Sequence, residues 1–437
     1  MKNAVTKSSP EVVTPSTKPS PAAAPGQPAG DISLSSFDKA LAFAPFTSFH
    51  VFKNAIAEPA MTIKRALSQA LVYYYPIAGR AVGAAGDDGD RQLRVSCTGE
   101  GVAFVAATAS CALEDVRMFD RPFAAMLKEL AVEYGAEGCG EGDPLLLMQV
   151  TEFACGGFVV GVTWNHVIAD GAGIAQFLQA VGDLARGLPR PCVLPVSCGD
   201  DSLPGLPPLV AAIEKTMMTL ENKAFAFLDV TVPSTLIGRV KAEVAGDADY
   251  SGEPCTTFEA VTAVLWRSRT RAVVPDRDAP APLVFAANVR KYVGAKEGYY
   301  GNCVTSQVTV PTSGEVANGD LKDVVRLIRR AKEQIPLQFE NAAMNGAGAR
   351  MEQQEIMGVL FGYDAFYVAS WRNIGFEAPD MGGGRAARVM CHVEPAAVPS
   401  CVACLPREEA AGGASVLSLC VREEHVDAFL AELSSLG

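Results

Sequence analysis

A chain of 437 residues is too long for one ordinary hydrophobic core, so two domains or a fused pair of layers is expected. Apolar residues make up 49% and charged residues 20%, the balance of a globular protein and not of a disordered one. With 37 Lys and Arg against 49 Asp and Glu, the net charge of −12 excludes a general nucleic-acid footprint, while leaving room for a local basic pocket for a phosphorylated ligand.

The N-terminus carries no secretory pattern: Lys2 and Lys7 are followed by Ser, Pro and Thr instead of an apolar core. No apolar run reaches the roughly 18 residues of a membrane span. A cytoplasmic, monomeric protein without a span is the expectation. The stretch "AVTKSSPEVVTPS" predicts an edge strand, and the Pro/Ala/Ser-rich residues 15–30 an extended surface segment. In residues 61–80 Ile63, Ala66, Leu67, Ala70 and Leu71 repeat at helical spacing until Pro76 stops the helix. The Gly/Asp cluster of "GDDGDRQLRVSC" reads as a hairpin turn entering a strand.

Residues 144–164 are two strand-like runs around Gly156-Gly157, a hairpin signal. The second run, "GFVVGVTW", is apolar and β-branched, as a strand covered on both faces is. "GIAQFLQAVGDLARG" follows as a helix closed by Gly187. Residues 188–208, rich in Pro and Gly, are the best linker. Beyond them "TTFEAVTAVLWRSRTRA", the basic "GDLKDVVRLIRRAKEQI" and "REEHVDAFLAEL" read as helices. "APLVFAANVRKYV", "GYDAFYVASW" and "ASVLSLCV" read as strands. The charges of the basic helix are expected to be solvated. The chain thus divides into an extended segment over 1–30, an N-terminal domain over 31–187, a linker over 188–220 and a C-terminal domain over 221–437. The fold class is α/β, with two similar domains, each a mixed β-sheet flanked by helices.

The 12 cysteines are scattered. Cys401-Val-Ala-Cys404 is the only C-x-x-C, with no second pair at zinc spacing and no further ligand nearby except His392. Reduced buried thiols and no metal site are expected.

The chemistry-bearing stretch is "TWNHVIADGAG", where one of only four histidines stands four residues before an aspartate. Histidine is the natural base near neutral pH, and acyl transfer needs one to take the proton of an attacking alcohol or amine. Asp170 either orients the imidazole of His166 or holds the loop in shape; spacing does not choose between these. The motif by itself is weak, but its place at a strand-to-helix junction ahead of the linker is that of a site at a domain boundary.

With these residues the sequence resembles the plant BAHD acyl-CoA-dependent acyltransferases, of the HXXXD type. The similarity runs over nearly the whole chain, through "LSSFDKALAFAPFTSFHVF", "LSQALVYYYPIAGR", the strand pair leading to "NHVIADGAG", "CTTFEAVTAVLWRSRTRA", "FAANVRK", "EGYYGNC" and "ASWRNIGFEAPDMGGGRAARVM". The resemblance implies a chloramphenicol acetyltransferase-like fold with a channel between the domains, and acyl-CoA as co-substrate with no tightly bound cofactor. It makes His166 the general base and turns Asp170 away from substrate towards an arginine of the second domain, with Arg290 the candidate. Trp371 matches a tryptophan near the reacting carbonyl; two residues earlier, where relatives carry a hydroxyl, stands Ala369.

The loop Asp380-Met381-Gly382-Gly383-Gly384 stands for the family's D-F-G-W-G. Asp380, Gly382 and Gly384 keep the pattern, while Met381 and Gly383 replace Phe and Trp, so a neighbour must fill the space of the lost indole. In the family this loop supports the coenzyme channel. Arg290, Lys291, Arg385 and Arg388 are candidate contacts for coenzyme A phosphates. The expected reaction is transfer of a benzoyl or hydroxycinnamoyl group to a hydroxyl in plant specialised metabolism. An amine or polyamine acceptor is the alternative, since an acidic chain attracts a cation. The changed loop leaves open a second class, a catalytically silent binding or regulatory protein on the same fold.

Overall fold

The computed structural model describes residues 5–18, 30–85, 91–120, 123–135, 138–196, 203–247, 253–340, 347–391, 396–406 and 412–436. Residues 19–29 of the low-complexity segment, the Gly/Asp turn at 86–90 and His392 lie outside them. The chain forms two compact units. The first comprises Met1–Gly205, Val293–Cys303 and Arg372–His392; the second comprises Leu206–Tyr292, Val304–Trp371 and Val393–Gly437. This corrects the in-line division with its C-terminal domain over 221–437. Two later pieces of chain, one of them carrying the DMGGG loop, belong to the first unit.

In chain order the first unit contains β1 (Val5–Lys7), β2 (Glu11–Val13), β3 (Ile32–Ser33), α1 (Ser36–Ala40), β4 (Pro45–Phe52), α2 (Pro59–Tyr73), β5 (Arg80–Ala85), β6 (Arg91–Ser96), β7 (Val102–Ala109), β8 (Leu146–Phe153), β9 (Phe158–Asn165) and α3 (Gly171–Ala185). The second unit adds α4 (Pro208–Met217), β10 (Leu228–Val232), α5 (Ser234–Ala245), α6 (Thr257–Val273), β11 (Leu283–Asn288), β12 (Val304–Thr309), α7 (Ser313–Asn318), α8 (Leu321–Glu340), α9 (Ala347–Leu360) and β13 (Phe366–Ser370). The chain then gives β14 (Arg388–Cys391) to the first unit and β15 (Ser400–Cys404), β16 (Ala414–Leu419) and α10 (Val426–Ser434) to the second.

The first unit's large sheet has the order β1-β7-β8-β9-β4-β14, with β2 also on β7. β7 and β8 run parallel and the other pairs antiparallel, so the sheet is mixed. The predicted N-terminal edge strand is present as the two short pieces β1 and β2. β8 and β9 form the predicted hairpin, with Gly156 at φ +84°, a conformation that glycine adopts without strain. Every residue of β9 is buried, as its unbroken apolar run requires. α2 ends at Tyr73, and Pro76 falls in a short 3₁₀ turn beyond it. β14 explains the interleaving. Its four residues pair with Val51 to Ser48 of β4, and a sheet edge so covered holds its donor strand in the same unit.

The second unit's sheet has the order β10-β16-β15-β13-β11-β12 and is also mixed, with β11, β13 and β15 mutually parallel. α6 runs through its core with Trp266 fully buried, and a capping box of Thr256 and Glu259 starts it. The basic face of α8 is not merely solvated. Arg329 and Lys332 reach Glu259 at 3.2 and 2.6 Å, and Arg326 pairs with Asp247 and Asp323. Glu259 is almost wholly buried, so two cations and a cap share one enclosed carboxylate.

Cys401 and Cys404 both lie on β15. Three residues apart on a strand, they point to opposite faces and cannot close on one metal ion. No cluster of three or more metal-ligating side chains occurs among the described residues, and no helix among them is long and apolar enough to cross a membrane.

One buried group on β4 gives the stability a pH dependence. His50 is almost fully buried, its Nε2 lies 3.0 Å from Ser48 Oγ, and its Nδ1 is enclosed without a hydrogen-bond partner. Burial pushes its pKa down to about 3. The unfolded chain therefore binds a proton that the folded chain refuses. The stability is complete above about pH 6.5 and falls as pH drops through that value towards 3. Denaturant melts between pH 7 and 5 should show this loss, and His50→Leu should flatten it by about 1.4 kcal/mol per pH unit, the slope of one proton. An unchanged slope in the variant would count against a neutral buried His50.

Candidate active site

The candidate site grows out of the junction between β9 and α3. β9 ends at Asn165, whose Oδ1 accepts the backbone N–H groups of Val167 and Phe43, both at 3.0 Å. Trp164 donates its indole N–H to the carbonyl of Ala169 at 3.1 Å. These three bonds hold the turn that carries His166. The His166 backbone N–H goes to the carbonyl of Ala44 at 2.9 Å, and its ring meets Phe46 edge-on with centroids 4.9 Å apart. Phe46 is 42% exposed while His166 is 8% exposed, so the imidazole is sheltered beside an open aromatic face.

Burial lowers the pKa of His166 below the usual histidine value, against the opposing pull of Asp170, of the residue's own backbone carbonyl and of Asn302. A neutral imidazole is what a general base needs. His166 Nδ1 is enclosed without a hydrogen bond of ordinary geometry, and so is Asn302 Oδ1. The Asn302 amide N–H is given instead to the His166 backbone carbonyl, at 2.7 Å.

Asp170 has no exposed surface. It is the N-cap of α3: Oδ1 accepts from Gly173 N at 2.9 Å, and Oδ2 accepts from Cys303 N at 3.0 Å. A carboxylate at a helix N-terminus is also favoured by the helix dipole. So Asp170 ties the start of α3 to the returning segment 293–303. That segment lies tight on the helix. A Cβ at Gly173 would stand 1.8 Å from the Tyr300 carbonyl oxygen, so only glycine fits there. Gln176 Nε2 donates to the Gly298 carbonyl at 2.9 Å, and Tyr74 packs edge-on to both Phe177 and Tyr300.

The DMGGG loop docks at the other end of the same helix. Asp380 Oδ1 accepts the N–H groups of Gly382 and Gly384 at 2.8 and 2.9 Å, and Oδ2 meets Arg186 at 3.3 Å. Partial burial would raise the Asp380 pKa, but these donors outweigh it and the net shift is downward. Gly382 and Gly384 have φ of +109° and +102°, which accounts for both glycines. A Cβ at Gly182 would lie 2.6 Å from the Asp380 carbonyl oxygen, so the loop backbone rests directly on α3. With 15 residues, α3 spans about 22 Å, which separates this loop from His166. Met381 is buried. At Gly383 a Cβ would come within 3.0 Å of the Asn54 carbonyl oxygen and 3.1 Å of Ile56 Cγ2, and Asn54 Nδ2 donates to the Gly383 carbonyl at 2.6 Å. The residues following β4 thus close over the side where an indole would start.

The other sequence candidates are placed as follows. Arg385 is exposed at the end of the loop. Arg388 is corrected as a phosphate contact: its side chain is 1% exposed and bonded to Asp120 at 3.1 Å and to the Met118 carbonyl. Arg290, Lys291 and Trp371 belong to the second unit. Arg290 follows β11, its N–H donating to Asn288 Oδ1 at 3.1 Å. Lys291 is exposed and caps the ring of Tyr292 at 4.6 Å. Trp371 is buried just after β13, its N–H bonded to the Ala403 carbonyl at 2.8 Å. Sequence reasoning assigned nothing to Asn302 or Asp38, which turn out to sit behind His166. The only sequence signal for Asp38 is the S-x-x-D of a helix start.

The family model described as Transferase family matches residues 3–436. The chain is 44% identical over 451 aligned positions to Acyl transferase 15 of Oryza sativa subsp. japonica, covering 99% of this chain and 98% of that one. It is 32% identical over 455 positions to the myricetin 3-O-glucosyl 1,2-rhamnoside 6'-O-caffeoyltransferase AT1 of Crocosmia x crocosmiiflora, covering 98% of each. Among solved structures, vinorine synthase superposes with a TM-score of 0.73 at 20% identity, over 99% of this chain and 98% of the other. TRI101 of F. sporotrichioides, complexed with coenzyme A and T-2, superposes with a TM-score of 0.66 at 16% identity, over 93% and 100%. These two likenesses show a shared chloramphenicol acetyltransferase-like fold. A family match along almost the whole length, together with curated relatives that transfer acyl groups, places this chain in the transferase family of the BAHD acyltransferases.

Proposed function

We propose that this acyltransferase moves an aromatic acyl group, benzoyl or hydroxycinnamoyl, from coenzyme A to a hydroxyl of a small molecule, with His166 as general base. The observation that carries the reading is the state of His166. It is a sheltered imidazole that burial keeps neutral, beside a carboxylate already engaged by two backbone N–H groups. The caffeoyltransferase relative, whose acyl group is a hydroxycinnamoyl, supports the donor class. The coenzyme A complex of the structural neighbour supports a thioester donor.

In the reaction His166 Nε2 takes the proton of the acceptor hydroxyl as its oxygen attacks the thioester carbonyl carbon. The C–S bond then breaks, and the imidazolium returns its proton to the departing coenzyme A thiolate. Trp371 is the proposed N–H donor to the transient oxyanion. No covalent acyl-enzyme is needed, and the sequence contains no G-x-S-x-G nucleophile motif. Asp170 acts on the geometry of the turn and not on the proton. Lys291 and Arg385, both exposed, are the proposed contacts to coenzyme A phosphates.

A thiol-release assay tests the reading, using benzoyl-, hydroxycinnamoyl- and acetyl-CoA with a panel of alcohols and amines. Release with an aromatic donor and an alcohol is expected, and His166→Ala should lower it by about 10²–10⁴-fold with the fold intact. Release with amines alone would overturn the acceptor class. No release with any pair would mean a silent member of the fold.

The pKa of His166 sets a further expectation. Its neutral form persists to lower pH than a free histidine's, so the acid limb of kcat/KM should have its midpoint below about 6.5. A midpoint above that value would contradict burial as the dominant influence.

Asp170→Asn puts an amide NH₂ against a backbone donor. It should lower stability by about 1–3 kcal/mol and lower kcat through the displaced turn. Unchanged melting together with unchanged kcat would remove Asp170 from both roles.

A further inference from the structure

On one face of β4 a single aromatic ring is left half covered. Side chains alternate along a strand, so Phe46, Ser48, His50 and Phe52 share that face. Phe52 stacks on its cross-strand partner Phe158, with centroids 4.8 Å apart and an angle of 15°. His50 meets Phe376 edge-on at 5.1 Å, and both His50 and Phe52 are enclosed. Phe46 also has an aromatic partner across the strands, Trp164, at 6.1 Å and 35°, besides the ring of His166. It nevertheless keeps 42% of its surface exposed, on a strand whose last five residues are all buried.

A single exposed hydrophobic group is ordinary on a protein surface; what sets this one apart is its setting. Its support is fixed. Trp164 is buried, and its indole N–H is tied to the Ala169 carbonyl at 3.1 Å. The His166 backbone is tied to Ala44, two residues before Phe46, at 2.9 Å. Ring and imidazole are therefore held side by side, with centroids 4.9 Å apart. A group lying on the open face of Phe46 sits next to the base. Of the two reactants that meet there, the acceptor has a polar handle, because its hydroxyl hydrogen-bonds the imidazole nitrogen. The acyl group makes no bond to the base, and a flat apolar surface without polar atoms suits its ring.

We propose that Phe46 determines donor specificity: the aromatic ring of the acyl group lies offset-stacked on its exposed face. This deepens the proposed function and rests on it for the donor class. Offset-stacked rings sit with centroids about 4.5–7 Å apart, so a ring placed there stays close to the imidazole that Phe46 already touches. An acetyl group covers little of that face and gains nothing from its flatness. Phe46 thus selects aromatic over short aliphatic thioesters, without taking part in the proton transfer.

Two unreactive thioethers, S-benzyl-coenzyme A and S-ethyl-coenzyme A, separate binding from transfer when titrated calorimetrically into the full-length protein. Neither has a carbonyl to attack, so the result does not depend on His166 acting as a base. The wild type is expected to bind the benzyl compound about 10-fold more tightly, the scale of one aromatic contact with its buried area. Phe46→Leu keeps an apolar side chain but removes the ring, and should reduce that preference to less than about threefold, whereas Phe46→Trp should retain it. In turnover with one aliphatic alcohol, the kcat/KM ratio of benzoyl-CoA to acetyl-CoA should fall about 10-fold in Phe46→Leu. A Phe46 that only supports the fold would lower both donors alike and leave the thioether preference in place, which would overturn the proposal. Equal binding of the two thioethers by the wild type would do the same. So would a loss that follows an aromatic acceptor when acetyl-CoA is the donor, since the acceptor would then occupy the ring. A benzyl preference abolished by Phe46→Leu, in a protein that releases no thiol with any donor and acceptor pair, would instead overturn the catalytic reading and leave this one standing.

Discussion

The Asp170 carboxylate bridging Gly173 N and Cys303 N is the contact on which the site depends. It satisfies one of the free N–H groups at the start of α3 and at the same time fastens a segment that comes 133 residues later. Because that segment is fastened there, Asn302 lies beneath the His166 carbonyl and Tyr300 lies against Gly173. Asn302 is held a second time by Asp38, whose Oδ1 accepts from its backbone and side-chain N–H groups at 3.2 and 2.8 Å. The motif aspartate thus seats the residues around His166 and not the imidazole itself.

Burial does two things to the imidazole at once. It removes water from around His166, which lowers the pKa and keeps the ring neutral, and it makes every remaining polar contact count for more. His50, on β4, shows the first effect alone: an enclosed ring with Ser48 beside one nitrogen and nothing on the other is pushed to about pH 3. His166 differs in having Asp170, its own backbone carbonyl and Asn302 nearby, all of which favour the charged form. On the proposed reading of His166 as general base, which accepts a proton and later returns it, this compromise serves the reaction. Too little opposition would leave it unable to hold the proton, and too much would leave it protonated from the start.

Much of this was legible in the sequence, and what was legible was local. The apolar run of β9, the Gly156 turn and the helical spacing of α3 each report burial within a few residues, and each is found where that spacing puts it. The edge pairing of the N-terminal segment was legible for the same reason. What spacing does not carry is partnership at a distance. The charges of α8 looked solvated because Asp247 and Glu259 are roughly 70 residues away along the chain. The in-line domain division failed because β14, a four-residue strand, crosses into the other unit's sheet. Asp38 lies in a stretch that the sequence marks only by family resemblance, and its bond to Asn302 leaves no local trace. The family likeness brought "EGYYGNC" into view as a match, without saying what its asparagine touches.

The same helix also explains how the chain tolerates its altered loop. α3 receives a carboxylate-organised turn at each end: Asp170 gathers Gly173 and Cys303 at the start, and Asp380 gathers Gly382, Gly384 and Arg186 at the finish. In both places a glycine of the helix, Gly173 or Gly182, lets foreign backbone approach closer than any side chain would allow. At the loop the contacts that fix position run through Asp380 and backbone groups, none of which depends on the residue types at 381 and 383. Met381 stays buried in place of an aromatic ring, and Asn54 and Ile56 lie over Gly383, Asn54 Nδ2 donating to its carbonyl. An indole at 383 would have to displace that cover. Gly383 and its cover by Asn54 and Ile56 lie at the far end of a helix about 22 Å long from His166.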